Sequence, residues 1–248
     1  MMLPTLQPAL AQGRALKVIS GLTNFDRDRT LSIARAAQTG GATFLDMAAD
    51  ADLVKAVRRV VDLPICVSAV DVDTFRAPVA AGADLIEIGN FDAFYAQGIR
   101  FEAEEVLDLT RRTRAAFPHI MLSVTVPHIL SLDAQVTLAT ALVAAGADVI
   151  QTEGGTSSQP SHGGTLGLIE KAAPTLAAAY EISRAVAVPV LCASGLSDVT
   201  VGLAIAAGAS GVGVGSAVNK LNDEVAMVAA VRRLAQAMNA VSVRSVAV

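Results

Sequence analysis

The stretch Pro189-Val-Leu-Cys-Ala-Ser-Gly-Leu196, followed one helix-length later by Gly208-Ala-Ser-Gly-Val-Gly-Val-Gly-Ser216, holds two apolar runs of strand length that each end in glycine and serine. The way each run begins is repeated back along the chain. Gly208-Ala209 has counterparts at Gly41-Ala42, Gly82-Ala83 and Gly146-Ala147. Glycine ends a helix well because it accepts the left-handed cap conformation. Between these pairs, Pro64, Pro118 and Pro189 introduce the other runs, since proline stops a helix and starts an extended segment. The alternation reads as a two-unit module used four times.

Eight strand-like runs result: 15–21, 43–49, 64–70, 84–90, 120–126, 148–154, 188–195 and 211–217. Each precedes a helical pattern, the last near 223–241. Repeated strand–helix alternation implies parallel strands with helices outside, and eight units favour closure into one (β/α)8 barrel, a TIM barrel. The chain of 248 residues matches the ~250 typical of that fold. We therefore expect a single domain over 1–248.

Composition narrows the function classes. Hydrophobic residues make up 53% and charged residues 17%, enough apolar material for one large core. The net charge is −4 with no Lys/Arg run, which argues against nucleic acid as a partner. No apolar run reaches the roughly 18 residues of a membrane span. Cys66 and Cys192 lie inside apolar runs, which suits buried thiols in a reducing, cytoplasmic compartment. Ala9-Leu10-Ala11 resembles a signal-peptidase site, but no positive charge follows Met1 and Pro4 and Pro8 interrupt the apolar segment. A short helix or plug under the barrel is expected there instead.

Side chains alternate faces along a strand, so parity tells which residues point into the barrel. Five residues after each capping glycine stand Asp46, Glu87, Gln151 and Gly213; seven after stand Ala48, Gly89, Glu153 and Gly215. The opposite parity is mainly Leu, Ile, Val and Met, fit for the helix side, with Val149 counted there and a slip around the sixth run. In the first run Lys17 goes inward with Ile19 and Gly21; Ser68, Ser123 and Thr125 follow by the same logic. One lysine and three carboxylates inside a barrel must pair, because a lone buried charge costs several kcal/mol. Such a set is either an ion-pair network that holds the barrel or a reactive one. In the reactive case Lys17 is a Schiff-base former or proton shuttle, and Asp46, Glu87 and Glu153 divide acid and base roles.

The ends of the last two runs form a candidate phosphate cradle. Gly195 and Gly215 let the backbone approach an anion, and Ser194 and Ser216 add hydroxyls, as in barrels that hold phosphate after strands 7 and 8. The loop after the sixth run adds Gly154 and Gly155, with Ser157, Ser158 and His162, and is long enough for a lid or clamp. Phe91, Phe94, Tyr95 and Phe101 cluster after the fourth run and either cover a planar ligand or pack their loop down. His128, in Val126-Pro127-His128, is an acid–base candidate. No ligand spacing supports a metal.

Several segments together resemble a known family. They are Lys17-Val-Ile-Ser-Gly-Leu22, Leu45-Asp-Met-Ala-Ala-Asp50, Leu63-Pro-Ile-Cys-Val-Ser68, Glu87-Ile-Gly-Asn-Phe-Asp92, Phe94-Tyr-Ala-Gln-Gly98, Leu122-Ser-Val-Thr-Val-Pro-His128 and Gln151-Thr-Glu-Gly-Gly-Thr156. The chain is similar over most of its length to the family called hypothetical chloroplast reading frame twenty-three. The resemblance implies a barrel from a cyanobacterium or bacterial relative, cytosolic, or stromal if plastid-encoded, and carries no catalytic assignment. The last two runs are more loosely similar to phosphate-binding barrels such as thiazole synthase and N-acylmannosamine-phosphate epimerase. The leading expectation is an enzyme, a lyase, synthase or isomerase, on a small phosphorylated metabolite. The alternatives are an oxidoreductase with flavin mononucleotide (FMN) in the cradle and a non-catalytic metabolite-binding protein. A homodimer is expected on base rates.

Overall fold

A computed structural model describes residues 2–156 and 158–240; the last residue of the expected 223–241 helix and the tail beyond it lie outside these. Eight parallel strands close into a barrel in chain order, with the eighth paired to the first. They are β1 (Ala15–Ile19), β2 (Phe44–Ala48), β3 (Ile65–Ala69), β4 (Leu85–Ile88), β5 (Met121–Thr125), β6 (Val149–Gln151), β7 (Val190–Ala193) and β8 (Gly211–Val214). Every one falls inside its expected run. The helices are α1 (Gln7–Ala11), α2 (Arg27–Gly40), α3 (Ala51–Arg58), α4 (Arg76–Ala80), α5 (Ala103–Ala116), α6 (Leu132–Ala144), α7 (Gly164–Ala185), α8 (Val201–Ala206), α9 (Ser216–Asn219) and α10 (Glu224–Asn239).

The four-fold module has a structural cause. Gly41, Gly82, Gly146 and Gly208 all hold φ between 90° and 106°, the left-handed region where glycine is favoured. The residue two places on then ties the incoming strand to the preceding one. Thr43 Oγ1 accepts from Leu16 N, Asp84 Oδ2 from Ile65 N and Asp148 Oδ2 from Leu122 N. An arginine closes two of these corners: Arg58 donates to Gly82 O and pairs with Asp84, and Arg114 donates to Gly146 O and pairs with Asp148. Arg184 donates in the same way to Ala207 O. These pairs repeat because each corner leaves the same backbone groups to be satisfied.

The core has two compartments. Leu16, Val18, Leu45, Met47, Ile86, Ile88, Val212 and Val214 pack outward against the helices. Inside, the N-terminal segment plugs the barrel floor: Leu6 and Leu10 meet Ala15, Phe44, Cys66, Leu85, Met121, Val149 and Leu191. Val149 therefore faces inward, against expectation. It shares parity with Gln151, two residues on, and the expected slip starts only at Thr152, which turns out to bond Thr175 of α7 at 2.5 Å. Both thiols are free and buried, Cys66 inside the barrel and Cys192 beneath α7. Among the described residues no helix is long and apolar enough to cross a membrane.

Candidate functional site

Above the apolar floor lies a sealed layer of charge. Lys17 is fully buried, and its Nζ donates to Glu87 Oε2 at 2.5 Å and Gln151 Oε1 at 2.8 Å, with Asp46 Oδ2 at 3.9 Å. Glu87 also accepts from Ser123 Oγ and from Gln151 Nε2, both at 2.8 Å. Gln151 Nε2 donates to Thr125 Oγ1 as well, and Ser68 Oγ donates to Asp46 Oδ1 at 2.5 Å. Parity reading thus brings Lys17, Asp46 and Glu87 together as expected.

The electrostatics of this layer favour the ion pair. Burial opposes charge on Lys17, but Asp46 and Glu87 outweigh it and hold the ammonium above its ordinary range. Burial, helped by the Glu87 charge and opposed by Lys17 and Ser68, pushes the Asp46 carboxyl up to about 6. The Cys66 thiol is pushed well above its usual value, first by burial and then by Asp46. A Schiff-base lysine must be neutral and reachable. Lys17 here is fully buried and ion-paired with Glu87.

A second cluster sits one inward position higher. Glu153 is not bonded to Lys17. Its Oε1 accepts from Tyr95 Oη at 2.7 Å and from His128 N at 3.2 Å and lies 3.3 Å from His128 Nδ1; its Oε2 accepts from Asp92 N at 3.0 Å. Burial opposes a proton on half-buried His128, but the bond to Glu153 and the Asp92 charge prevail and raise its pKa. Asp92 Oδ2 accepts from Gly154 N, Thr156 N and Ser194 Oγ at 3.0–3.3 Å, joining the loops after β4, β6 and β7. Ser194 holds φ at 76°, uncommon for a residue with a Cβ, and its Oγ is fastened on both sides by Asp92 and Thr156 N. The aromatic group packs its own loop: Phe101 lies 4.6 Å from Phe91 and 5.7 Å from Phe94, ring to ring. Only Tyr95 reaches the polar cluster.

Between this cluster and the cradle opens a cavity of about 250 Å³. Its walls come from Asn90, Gln151, Glu153, Ser194, Gly195, Gly215 and Ser216, with Lys171 of α7 and Lys220 after α9. A neighbouring cavity of about 230 Å³ shares Lys171, Gly195, Ser216 and Lys220. Gly154 and Gly155, expected to bind phosphate, line neither. Their bareness serves packing. A Cβ on Gly155 would stand 2.4 Å from Gly195 Cα, and one on Gly154 3.1 Å from His128. The two loops touch backbone to backbone there.

The long loop after β6 is tied to α7 rather than standing free. Pro174 lies inside that helix and cannot donate to the carbonyl of Glu170, which accepts from Ser158 Oγ at 3.5 Å instead. The Glu170 carboxylate accepts from the backbone N–H of Ser161 and His162. Ser157 lies outside the described residues. No cluster of three or more metal-ligating side chains occurs among the described residues.

Strand parity could not point to Lys171, on α7, or Lys220, just after α9, because neither lies on a strand. Asp92 and Tyr95 are in a loop with no period. Only the closure of the barrel brings these four to one rim.

Fold and rim together define a closed (β/α)8 barrel with glycine–serine rims after β7 and β8. The chain belongs to the family described as "Protein of unknown function (DUF561)", whose model matches residues 2–244. Proteins named "Uncharacterized protein ycf23" are similar to it. The one from Cyanophora paradoxa is 43% identical over 93% of this chain and 95% of its own. That from Pyropia yezoensis is 37% identical over 87% and 79%. Among solved structures, thiamine phosphate pyrophosphorylase from Pyrococcus furiosus superposes with a TM-score of 0.62 at 20% identity, covering 94% of this chain and 98% of that one. A 3-hexulose-6-phosphate synthase superposes with 0.64 at 18%, covering 90% and 99%.

Proposed function

We propose that this protein binds a small phosphorylated metabolite across the barrel mouth and transforms it by lyase, synthase or isomerase chemistry. The observation that carries the reading is the cavity of about 250 Å³, which has two lysines and the glycine–serine rims of β7 and β8 at one end and Glu153 and Gln151 within it. Gly195, Gly215 and Ser216 would hold the phosphate through backbone and hydroxyl groups, and Lys171 and Lys220 would balance its charge. Ser194 shapes the loop through Asp92. Glu153, backed by His128 and Tyr95, faces the ligand as the acid–base group. Lys17, Asp46 and Glu87 act through Gln151, which alone of that network lines the cavity. The names of the similar structures, a thiamine phosphate pyrophosphorylase and a 3-hexulose-6-phosphate synthase, support phosphate chemistry on this fold by analogy.

The flavin alternative finds less support. The cavity is smaller than the roughly 300–1,000 Å³ of drug-sized ligand pockets, and the aromatic residues are spent on their own loop. A metabolite-binding protein without turnover is favoured by one observation, the sealing of Lys17 away from the cavity. We also place the protein in a bacterial cytosol, or in the stroma if plastid-encoded, in keeping with two free buried thiols. A homodimer rests on base rates.

Calorimetric titration with inorganic phosphate and a panel of phosphorylated metabolites tests the reading. Binding is expected in the wild type and about tenfold or more weaker in Lys171→Ala/Lys220→Ala, each lysine contributing a charge-assisted contact. Unchanged affinity in the double variant would overturn the cradle assignment. Turnover of a bound member of the panel separates enzyme from binding protein. Borohydride treatment with carbonyl substrates should leave Lys17 unmodified; an adduct there would restore the Schiff-base role.

A further inference from the structure

Among the described residues the cavity holds one buried side-chain oxygen to which the protein itself supplies no hydrogen bond. Asn90 follows β4, lines the cavity, and its buried Oδ1 accepts no hydrogen bond. A buried acceptor without a donor is costly, and such groups in folded proteins ordinarily have a partner. Two polar groups that line the cavity with it are engaged elsewhere: Glu153 holds Tyr95, Asp92 and His128, and Gln151 holds Lys17, Glu87 and Thr125. Asn90 is thus available to something entering the cavity.

Its position says where that partner lies on a ligand. In a ring of eight strands in chain order, β4 stands opposite β8. The cradle at Gly195, Gly215 and Ser216 and the Asn90 amide therefore face each other across the mouth, with the cavity reaching both. A ligand whose phosphate is at the β7–β8 rim presents its far end to Asn90. The nearest carboxylate lining the same cavity is Glu153, another acceptor.

We propose that Asn90 is a specificity residue which reads a hydrogen-bond donor, a hydroxyl group, at the end of the ligand remote from its phosphate. This rests on the phosphate-binding reading above and narrows it to short-chain hydroxylated phosphomonoesters, the polyol and sugar phosphates. Compounds with an apolar or acceptor-only far end are rejected, because they leave the Asn90 oxygen buried and unpaired. A site built to bond a hydroxyl discriminates strongly against an analogue that lacks it.

Three probes test it on the full-length protein by isothermal titration: inorganic phosphate, glycerol phosphate and n-propyl phosphate. The last two match in chain length and differ in their hydroxyls. Glycerol phosphate is expected to bind about tenfold more tightly than propyl phosphate in the wild type. Asn90→Ala should remove that preference while leaving the affinity for inorganic phosphate unchanged. Because the wild-type comparison needs no variant, the test survives a variant that fails to fold. Equal affinity for the two esters, with phosphate still bound, overturns the role of Asn90 and leaves the cradle standing. A preference that persists in a folded Asn90→Ala overturns it too. Failure of all three probes to bind overturns the cradle and this proposal with it.

Discussion

Two polar clusters occupy the same barrel, and they sit on the same inward face of adjacent positions along the strands. Lys17, Asp46, Glu87 and Gln151 form a layer whose exposure does not exceed 2%. Glu153, equally buried and bonded to Asp92 and His128, begins two residues further along β6 and is the carboxylate that lines the cavity. The lower layer compensates its charges internally. The upper one ties three loops together and leaves room for a ligand. Inward-pointing charge is therefore not in itself a sign of chemistry, and access to the cavity separates the two cases.

The sharpest way to break this contrast is to remove the cation of the lower layer. Lys17→Met strands two buried carboxylates, and urea denaturation should show a loss of about 3–5 kcal/mol. Adding Asp46→Asn and Glu87→Gln should recover much of that loss, since no charge is then left uncompensated. A loss below 1 kcal/mol in the single variant would mean that water reaches the layer.

Next in size is a pH effect. The folded-state pKa of Asp46, about 6, lies above its unfolded value, so the folded form binds the proton more tightly. Its contribution is fully present below the ordinary carboxylate range and is lost as pH rises to about 6, up to about 3 kcal/mol in all. His128, whose pKa is also raised, adds stability that is lost as pH rises through its folded value. Asp148 and Glu224, whose pKa values are lowered, act in the opposite sense, so the measure is the difference between melting curves: from pH 4 to pH 6 the wild type should lose stability relative to Asp46→Asn. A difference between the two curves that stays constant, or moves the other way, would contradict the burial assigned to Asp46.

Smaller effects probe the upper cluster. Gly155→Ala forces a methyl group onto the Gly195 backbone, and an overpacking cost of about 1–3 kcal/mol is expected, together with weaker phosphate binding. If binding is unaffected, the contact between the two loops does not shape the cradle. Tyr95→Phe removes the hydroxyl donated to Glu153 and should cost about 1 kcal/mol, measured by denaturation. It should alter the pH profile of any turnover that depends on Glu153 and leave the pH 4–6 stability limb assigned to Asp46 in place.

Much of this architecture is legible in the linear chain. Helix-ending Gly-Ala pairs and strand-opening prolines act through local backbone geometry, so Gly41, Gly82, Gly146 and Gly208 mark their corners without any knowledge of the fold. The period of two along a strand is equally local, which is why Lys17, Asp46 and Glu87 are foreseeable as companions inside the barrel. That period failed to divide Val149 from Gln151 correctly, because a buried strand carries apolar residues on both faces.

What the tertiary structure alone decided is which of these groups a ligand can reach. Lys17 and Glu153 have the same inward sense in the sequence and both are buried, yet the Gln151 amide covers Lys17 while Glu153 lines the cavity. Lys171, Lys220, Asp92 and Tyr95 come from a helix, the turn after α9 and an aperiodic loop, and no spacing relates them. Closure of eight strands into a ring brings them to one rim. Gly155 packs against the Gly195 backbone and Gly154 against the His128 and Pro174 side chains, contacts that composition does not reveal, since the need for a missing Cβ is set by whatever packs against it.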